Sequence, residues 1–162
     1  MVATANLRER ALAALRDVCD PEIPVLTIGD LGILRHVSVD GDTVDVTITP
    51  TYTGCPAMSM ITLDIETALS HAGIKARVHT SLSPAWTTDW LTDAAREKLA
   101  AYGIAPPPHT SSRRALFAAA QSACPRCGST DTEQLSEFGS TACKSLHRCR
   151  ACREPFDAFK CH

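Results

Sequence analysis

The chain has 162 residues, 44% of them apolar, with 16 Lys/Arg against 18 Asp/Glu and a formal net charge of −2, which excludes a disordered, strongly basic or strongly acidic protein. That length holds one domain of about 100–150 residues plus a small appendage. No run approaches the roughly 18 apolar residues that a membrane span requires.

The opening MVATANLRERALAALRDV carries acidic residues and amphipathic spacing in place of a basic start and an apolar stretch. It does not read as an export signal, and the expected compartment is the cytoplasm. Leu7, Ala11, Leu12, Leu15 and Val18 recur at three- and four-residue steps, predicting a helix with one apolar stripe. It should stop near Cys19-Asp20-Pro21, because a residue before proline is pushed out of the helical region. PEIPVLTIGDLG, with two prolines and two glycines, reads as an ordered loop. Ile33 to Val39 follows as a strand, Asp40-Gly41-Asp42 as a hairpin turn, and Thr43 to Thr49 as a strand with Val44, Val46 and Ile48 on its buried face. Met58, Ile61, Ile65 and Leu69 mark a second helix ending near Gly73. Ala76 to Leu82 is a third strand, and Trp90 to Tyr102 a third helix.

This order predicts a compact α/β (α+β) domain over residues 1–105, its sheet of three or slightly more strands packed by helices. Pro106-Pro107-Pro108 and the polar residues after it open a linker, with a short helix over 113–123, so that 106–123 separates the domain from a tail at 124–162. Residues 1–105 hold 8 Lys/Arg against 13 Asp/Glu, and the tail holds 6 against 5. Neither has the positive field that a nucleic-acid backbone attracts, and exposed aromatics for stacking are scarce.

Eight cysteines are present, six of them between Cys124 and Cys161. In a reducing compartment they read as ligands or reactive thiols before they read as disulfides. Cys124 and Cys127 form one C-x-x-C, and Cys149 and Cys152 a second, 21 residues further on. Each pair can bend into a knuckle aiming two sulfurs at one point, and two knuckles complete a tetrahedron around zinc. A 39-residue tail cannot bury enough apolar surface to fold alone, so a metal cross-link supplies what its core lacks. Four thiolates suit iron as well, so spacing leaves zinc and iron open. Cys143 and Cys161 are a candidate additional metal or thiol site, with His147 and His162 left over. The alternatives are a buried Cys143 and a frayed end.

In the front domain, Cys55 lies in TGCPAM. Proline favours the first helical position, which predicts Cys55 at the N-cap of the second helix, where amide hydrogens would stabilise a thiolate. A cysteine that merely caps the helix weakly is the plain alternative. Cys19, Asp20 and Glu22 form a second cluster whose carboxylates could bind a metal or cap a helix, or stay solvated. His36, His71 and His79 have no partner at ligand spacing.

DPEIPVLTIGDLG, the following strand pair and TYTGCPAM together resemble the SufT-like iron–sulfur assembly family, whose hallmarks are a D-P-E-[IL]-P loop and a later T-x-x-x-C-P thiol. With CPRCGS, EFGSTACK and EPFDAFKCH added, the whole chain is similar to the PaaD family of accessory proteins of the phenylacetyl-CoA monooxygenase (epoxidase) system in phenylacetate catabolism. That resemblance implies a SufT-like iron–sulfur assembly domain followed by a zinc ribbon. It implies a maturation factor handling iron or a transient iron–sulfur cluster through Cys55, Asp20 and Glu22, with structural zinc in the tail. The implied partners are the monooxygenase subunits, the iron–sulfur flavoprotein reductase first among them. A cluster shared by two copies of Cys55 would require a homodimer. The other reading is a structural subunit or adaptor of the oxygenase complex without chemistry. No Gly-rich fingerprint follows a strand and no pair of E-x-x-H motifs occurs, so the chain is not expected to be the oxygenase or reductase itself.

Overall fold

The structure, a computed structural model, describes residues 2–108 and 122–160, with side chains from residue 6 onward. The helix expected over 113–123 falls almost wholly outside these residues, as do Cys161 and His162. The chain divides into two compact units, Met1–Trp86 and Thr87–His162. Among the described residues no helix is long and apolar enough to cross a membrane.

The first unit runs α1 (Val2–Leu15), β1 (Leu34–Asp40), β2 (Thr43–Ile48), α2 (Met58–His71) and β3 (Lys75–Thr80). Its three-stranded sheet has the order β1-β2-β3, antiparallel at the hairpin and parallel between β2 and β3. A parallel pair needs a crossover, and α2 is that crossover. Gly41 occupies the first of the two central hairpin positions with φ 61°, a left-handed conformation that glycine adopts without cost. The alternation of β2 is realised: Val44, Val46 and Ile48 are fully buried, with Ile61, Ile65 and Leu69 of α2 and Ala11 and Leu15 of α1 in the same core. On the wet face, Arg77 bonds Asp45 at 2.8 Å and Asp40 at 2.9 Å, and the paired guanidinium holds the Asp45 carboxyl down at about 2.

The segment between α1 and β1 is no mere connection. Val18, Ile23, Leu26, Ile28, Leu31 and Ile33 are all buried, so this loop does packing that a helix or strand would otherwise provide. Its backbone is held by Asp20 N–H to Leu26 O at 2.9 Å and Ile28 N–H to Val18 O at 2.9 Å. The Trp86 indole N–H donates to Leu31 O at 2.8 Å.

The second unit contains a 3-10 turn (Thr88–Trp90), α3 (Asp93–Ala101), β4 (Ile104–Ala105), β5 (Thr132–Ser136), β6 (Lys144–Cys149) and β7 (Pro155–Phe159). Its sheet order is β4-β7-β6-β5. Residues 87–105 thus group with the tail, where the sequence places them at the end of the front domain. The reason is strand pairing: Ile104 and Ala105 lie parallel to Asp157 and Ala158, and Ala105 joins Cys124, Cys149, Phe156 and Ala158 in the small core. The third helix starts at Asp93, later than the expected Trp90, because Thr92 caps it, its Oγ1 accepting from Ala95 N–H at 3.0 Å. Buried Arg96 donates to Thr88 O at 2.8 Å and to Pro107 O, tying the 3-10 turn to the start of the linker.

Removing three methyl-sized groups from a fully buried side chain leaves a cavity that the surroundings fill only in part. Ile65→Ala should therefore destabilise the first unit by about 2–5 kcal/mol. Leu63→Ala, on the exposed face of α2, should stay within about 0.5 kcal/mol. Urea unfolding of a Trp90→Phe background, followed on the remaining Trp86, reads the first unit alone.

Candidate metal centre and thiol site

The four paired cysteines of the tail converge. Cys124, Cys127, Cys149 and Cys152 place their sulfurs within 4.8 Å of one another, with cross-knuckle separations of 3.8 Å for Cys124–Cys152 and 3.6 Å for Cys127–Cys149. A tetrahedral ion with metal–sulfur bonds of about 2.3 Å has sulfur–sulfur edges of about 3.8 Å, so the donor set fits such an ion without rearrangement. In the first knuckle Gly128 N–H donates to Cys124 O at 2.9 Å, and Gly128 has φ 74°. In the second, Arg153 holds the corresponding place with φ 66°, a conformation rare for a residue with a side chain. A glycine such as Gly128 suits a turn of this kind on sequence alone, whereas nothing in the sequence marks Arg153.

The two thiols of the second knuckle differ in proton affinity. The Cys152 amide donates to Cys149 Sγ at 3.5 Å and brings the Cys149 thiol down to about 7. Cys152 is pushed up to about 12, since the Glu154 amide is outweighed by burial and by the neighbouring sulfurs. One thiolate forms readily, and the next needs a cation to replace its proton.

Cys143 is buried outside this group, with Thr141 Oγ1 at 3.1 Å from its sulfur. The additional site suggested for Cys143 and Cys161 includes Cys161, which lies outside the described residues. His147 stacks on Phe156 with ring centroids 5.5 Å apart and contacts Ser145 Oγ at 2.9 Å. Burial lowers the affinity of its ring for a proton, so it serves the ribbon core.

In the first unit the structure brings the three front-domain residues together. Asp20 is buried, and its Oδ1 accepts from Glu22 N–H at 2.7 Å and Ile23 N–H at 2.9 Å, a side-chain turn of the kind that short acidic residues form. The cap expected from the acidic pair therefore closes the loop itself. Cys55 is half-buried, and it is not the N-cap: α2 begins at Met58, with Ala57 in the cap position. The two-residue offset arises because Cys55 to Ala57 form a turn of their own, with Met58 N–H reaching Cys55 O at 3.4 Å.

The surroundings of the thiol oppose each other. Burial pushes the Cys55 proton affinity up, and the charges of Glu22 and Asp20 push it further. The nearby Ala57 amide and Tyr52 hydroxyl pull it down, and the net direction is upward. The surroundings of Cys55 therefore favour the thiol over the thiolate that a helix N-cap would stabilise, with the charges of Glu22 and Asp20 acting in the same direction as burial. Tyr52 is the partner that sequence reading missed, although it lies only three residues before Cys55. Cys19 donates weakly to Asp17 O at 3.5 Å and faces a groove also lined by Asp20, Asp64 and His71. His79 contacts Asp45 Oδ1 at 3.0 Å on the wet face of the sheet.

Comparison with known proteins divides along the same lines. Residues 8–80 match the family described as iron-sulfur cluster assembly protein, and residues 108–160 match the PaaD zinc beta ribbon domain. The chain is 51% identical over 150 residues to an Escherichia coli (strain K12) protein named as one subunit of a "Putative 1,2-phenylacetyl-CoA epoxidase", covering 92% of this chain and 90% of that one. It is 36% identical over 94 residues to an Fe-S protein maturation auxiliary factor of Porphyromonas gingivalis, covering 56% of this chain and 89% of that one. The crystal structure of a domain of unknown function, DUF59, from Bacillus anthracis superposes with a TM-score of 0.56 at 25% identity, covering 60% of this chain and 95% of that one. An iron–sulfur assembly segment followed by a PaaD zinc ribbon, aligned nearly end to end with the Escherichia coli protein, makes this chain a member of the PaaD family.

Proposed function

We propose that the chain is an accessory factor of the phenylacetyl-CoA epoxidase system that assists assembly of iron–sulfur or iron centres in its partner subunits, and that it carries out no oxidation itself. The observation that carries this reading is the gathering of Cys55, Glu22 and Asp20 within the segment that matches iron–sulfur cluster assembly proteins. Burial does most to raise the proton affinity of the thiol, and the negative field that adds to it is also a field that draws a cation. When ferrous iron enters as cargo, a carboxylate meets it first, the Cys55 proton leaves to solvent, and the thiolate so formed becomes a ligand. Loss of the cargo restores the proton, which favours release. A thiol of this kind suits transient holding better than permanent binding.

In the same reading the four tail cysteines hold structural zinc, closing a fully coordinated site with no open position for catalysis. The iron–sulfur flavoprotein reductase is the client we favour, since it needs a cluster delivered. The name of the Escherichia coli relative, as a component of the epoxidase, favours a second reading, in which the chain is a non-catalytic adaptor of the complex.

Four outcomes are expected. Cys55→Ser should lower cluster transfer from the loaded protein to apo reductase at least tenfold, measured anaerobically; transfer at the wild-type rate would favour the adaptor. Glu22→Gln removes an anion that disfavours the thiolate, so the pH profile of Cys55 alkylation should move to lower pH. Purified protein should contain one zinc per chain, released as pH falls because protons compete for the thiolates. Stripping that zinc with a chelator should unfold the ribbon, seen as loss of its amide dispersion in NMR spectra.

A further inference from the structure

Neither the sulfur cluster nor Cys55 uses the best-braced loop of the second unit. Residues 136–143, SEFGSTAC, join β5 to β6. Gly139 N–H donates to Lys144 O at 2.7 Å and Lys144 N–H to Thr141 O at 3.1 Å. The Ser140 hydroxyl donates to Asp157 Oδ2 at 2.6 Å, and the buried Lys144 ammonium lies 3.7 Å from the same oxygen. A methyl group at Gly139 would come within 2.4 Å of Asp157 Oδ1, so a larger residue there would have to push aside the carboxylate that braces the loop.

At the centre of this fixed loop, Phe138 is 60% exposed. Leu135, three residues earlier, is 50% exposed; it is the extra residue of a β-bulge, between Gln134 opposite His147 and Ser136 opposite Leu146, and a bulge on an edge strand re-aims a side chain. The Lys160 ammonium sits 3.9 Å over the Phe138 ring centroid and makes no ion pair among the described residues. The nearby carboxylates are engaged elsewhere, Glu133 by Arg148 and Arg150 and Asp157 by Ser140 and Lys144. Within the loop itself, Glu137, the residue before Phe138, is an exposed acid.

An aromatic side chain held out by a rigid loop loses little entropy when it is covered, which is the property of an interface anchor. We propose that Phe138, Leu135 and Lys160 form a docking surface for a protein partner whose matching face is an apolar pocket with carboxylate on its rim. The cation seated over the ring selects such a rim, since an approaching carboxylate would pair with Lys160 as the pocket covers Phe138. The proposal deepens the reading above and rests on it for the choice of partner, an epoxidase subunit.

The test is calorimetric titration of the full, metal-replete chain into each separately purified epoxidase subunit. Saturable binding to one subunit is expected. Phe138→Ala should weaken it at least about tenfold, Lys160→Glu should weaken it and flatten its salt dependence, and Glu137→Lys should leave it unchanged or tighter. Zinc content shows that each variant keeps its ribbon; should Phe138→Ala lose it, Lys160→Glu decides. Absence of saturable binding by the wild-type chain, an unchanged Kd for Phe138→Ala, or weakening by Glu137→Lys in place of Lys160→Glu would overturn the proposal. Cys55→Ser should bind like wild type whatever its transfer rate, so failure of the docking surface and failure of the thiol role give different results.

Discussion

Convergence of four sulfurs is the constraint on which the second unit depends. Among the described residues, the buried cluster around the knuckles consists of Ala105, Cys124, Cys149, Phe156 and Ala158, and two of these five are themselves knuckle cysteines. So small a cluster contributes little against the entropy of ordering the strands around it. What the apolar surface does not supply must come from cross-linking, and the sulfur spacing matches a tetrahedral ion with no strand displaced. The two knuckles reach that geometry by different routes, one through a glycine in the left-handed region and one through Arg153 in the same region.

The first unit obeys a different logic, because it has a core of ordinary size and needs no such staple. Its unusual feature is the segment after α1, which contributes six buried side chains without being a helix or strand. Asp20 stands at the head of that segment, where its carboxylate closes the turn that starts the buried run. One residue therefore links packing to electrostatics: the turn that lets Ile23 enter the core also fixes a negative charge near Cys55. A thiol beside two carboxylates is a poor nucleophile and a ready cation ligand, and this distinction separates carrying a metal from attacking a substrate.

Much of this was legible in the residues. The period-two alternation of β2 and the three- and four-residue steps of α2 were clear because burial imposes them directly on the sequence. The four-cysteine site was legible because two equal spacings leave few other geometries open. Less legible were features set by long-range pairing. Nothing in Ile104-Ala105 announces a partner more than fifty residues away, so residues 87–105 read as the end of the front domain. The position of Cys55 relative to its helix was displaced for a local reason: Pro56 suits the first helical position, yet it was accommodated in a preceding turn. The Tyr52 hydroxyl and the Asp157 bracing of the 136–143 loop depend on side-chain directions that spacing does not encode.

The two-residue strand β4 also determines where the polypeptide can be divided. Ile104 and Ala105 are stitched to the last strand of the ribbon, so a chain ended at the proline run would leave that short strand and the helix before it without their hydrogen-bonding neighbour. The two compact units part after Trp86, and a fragment that carries the sulfur knuckles without Ile104 and Ala105 would lose the parallel neighbour of its last strand.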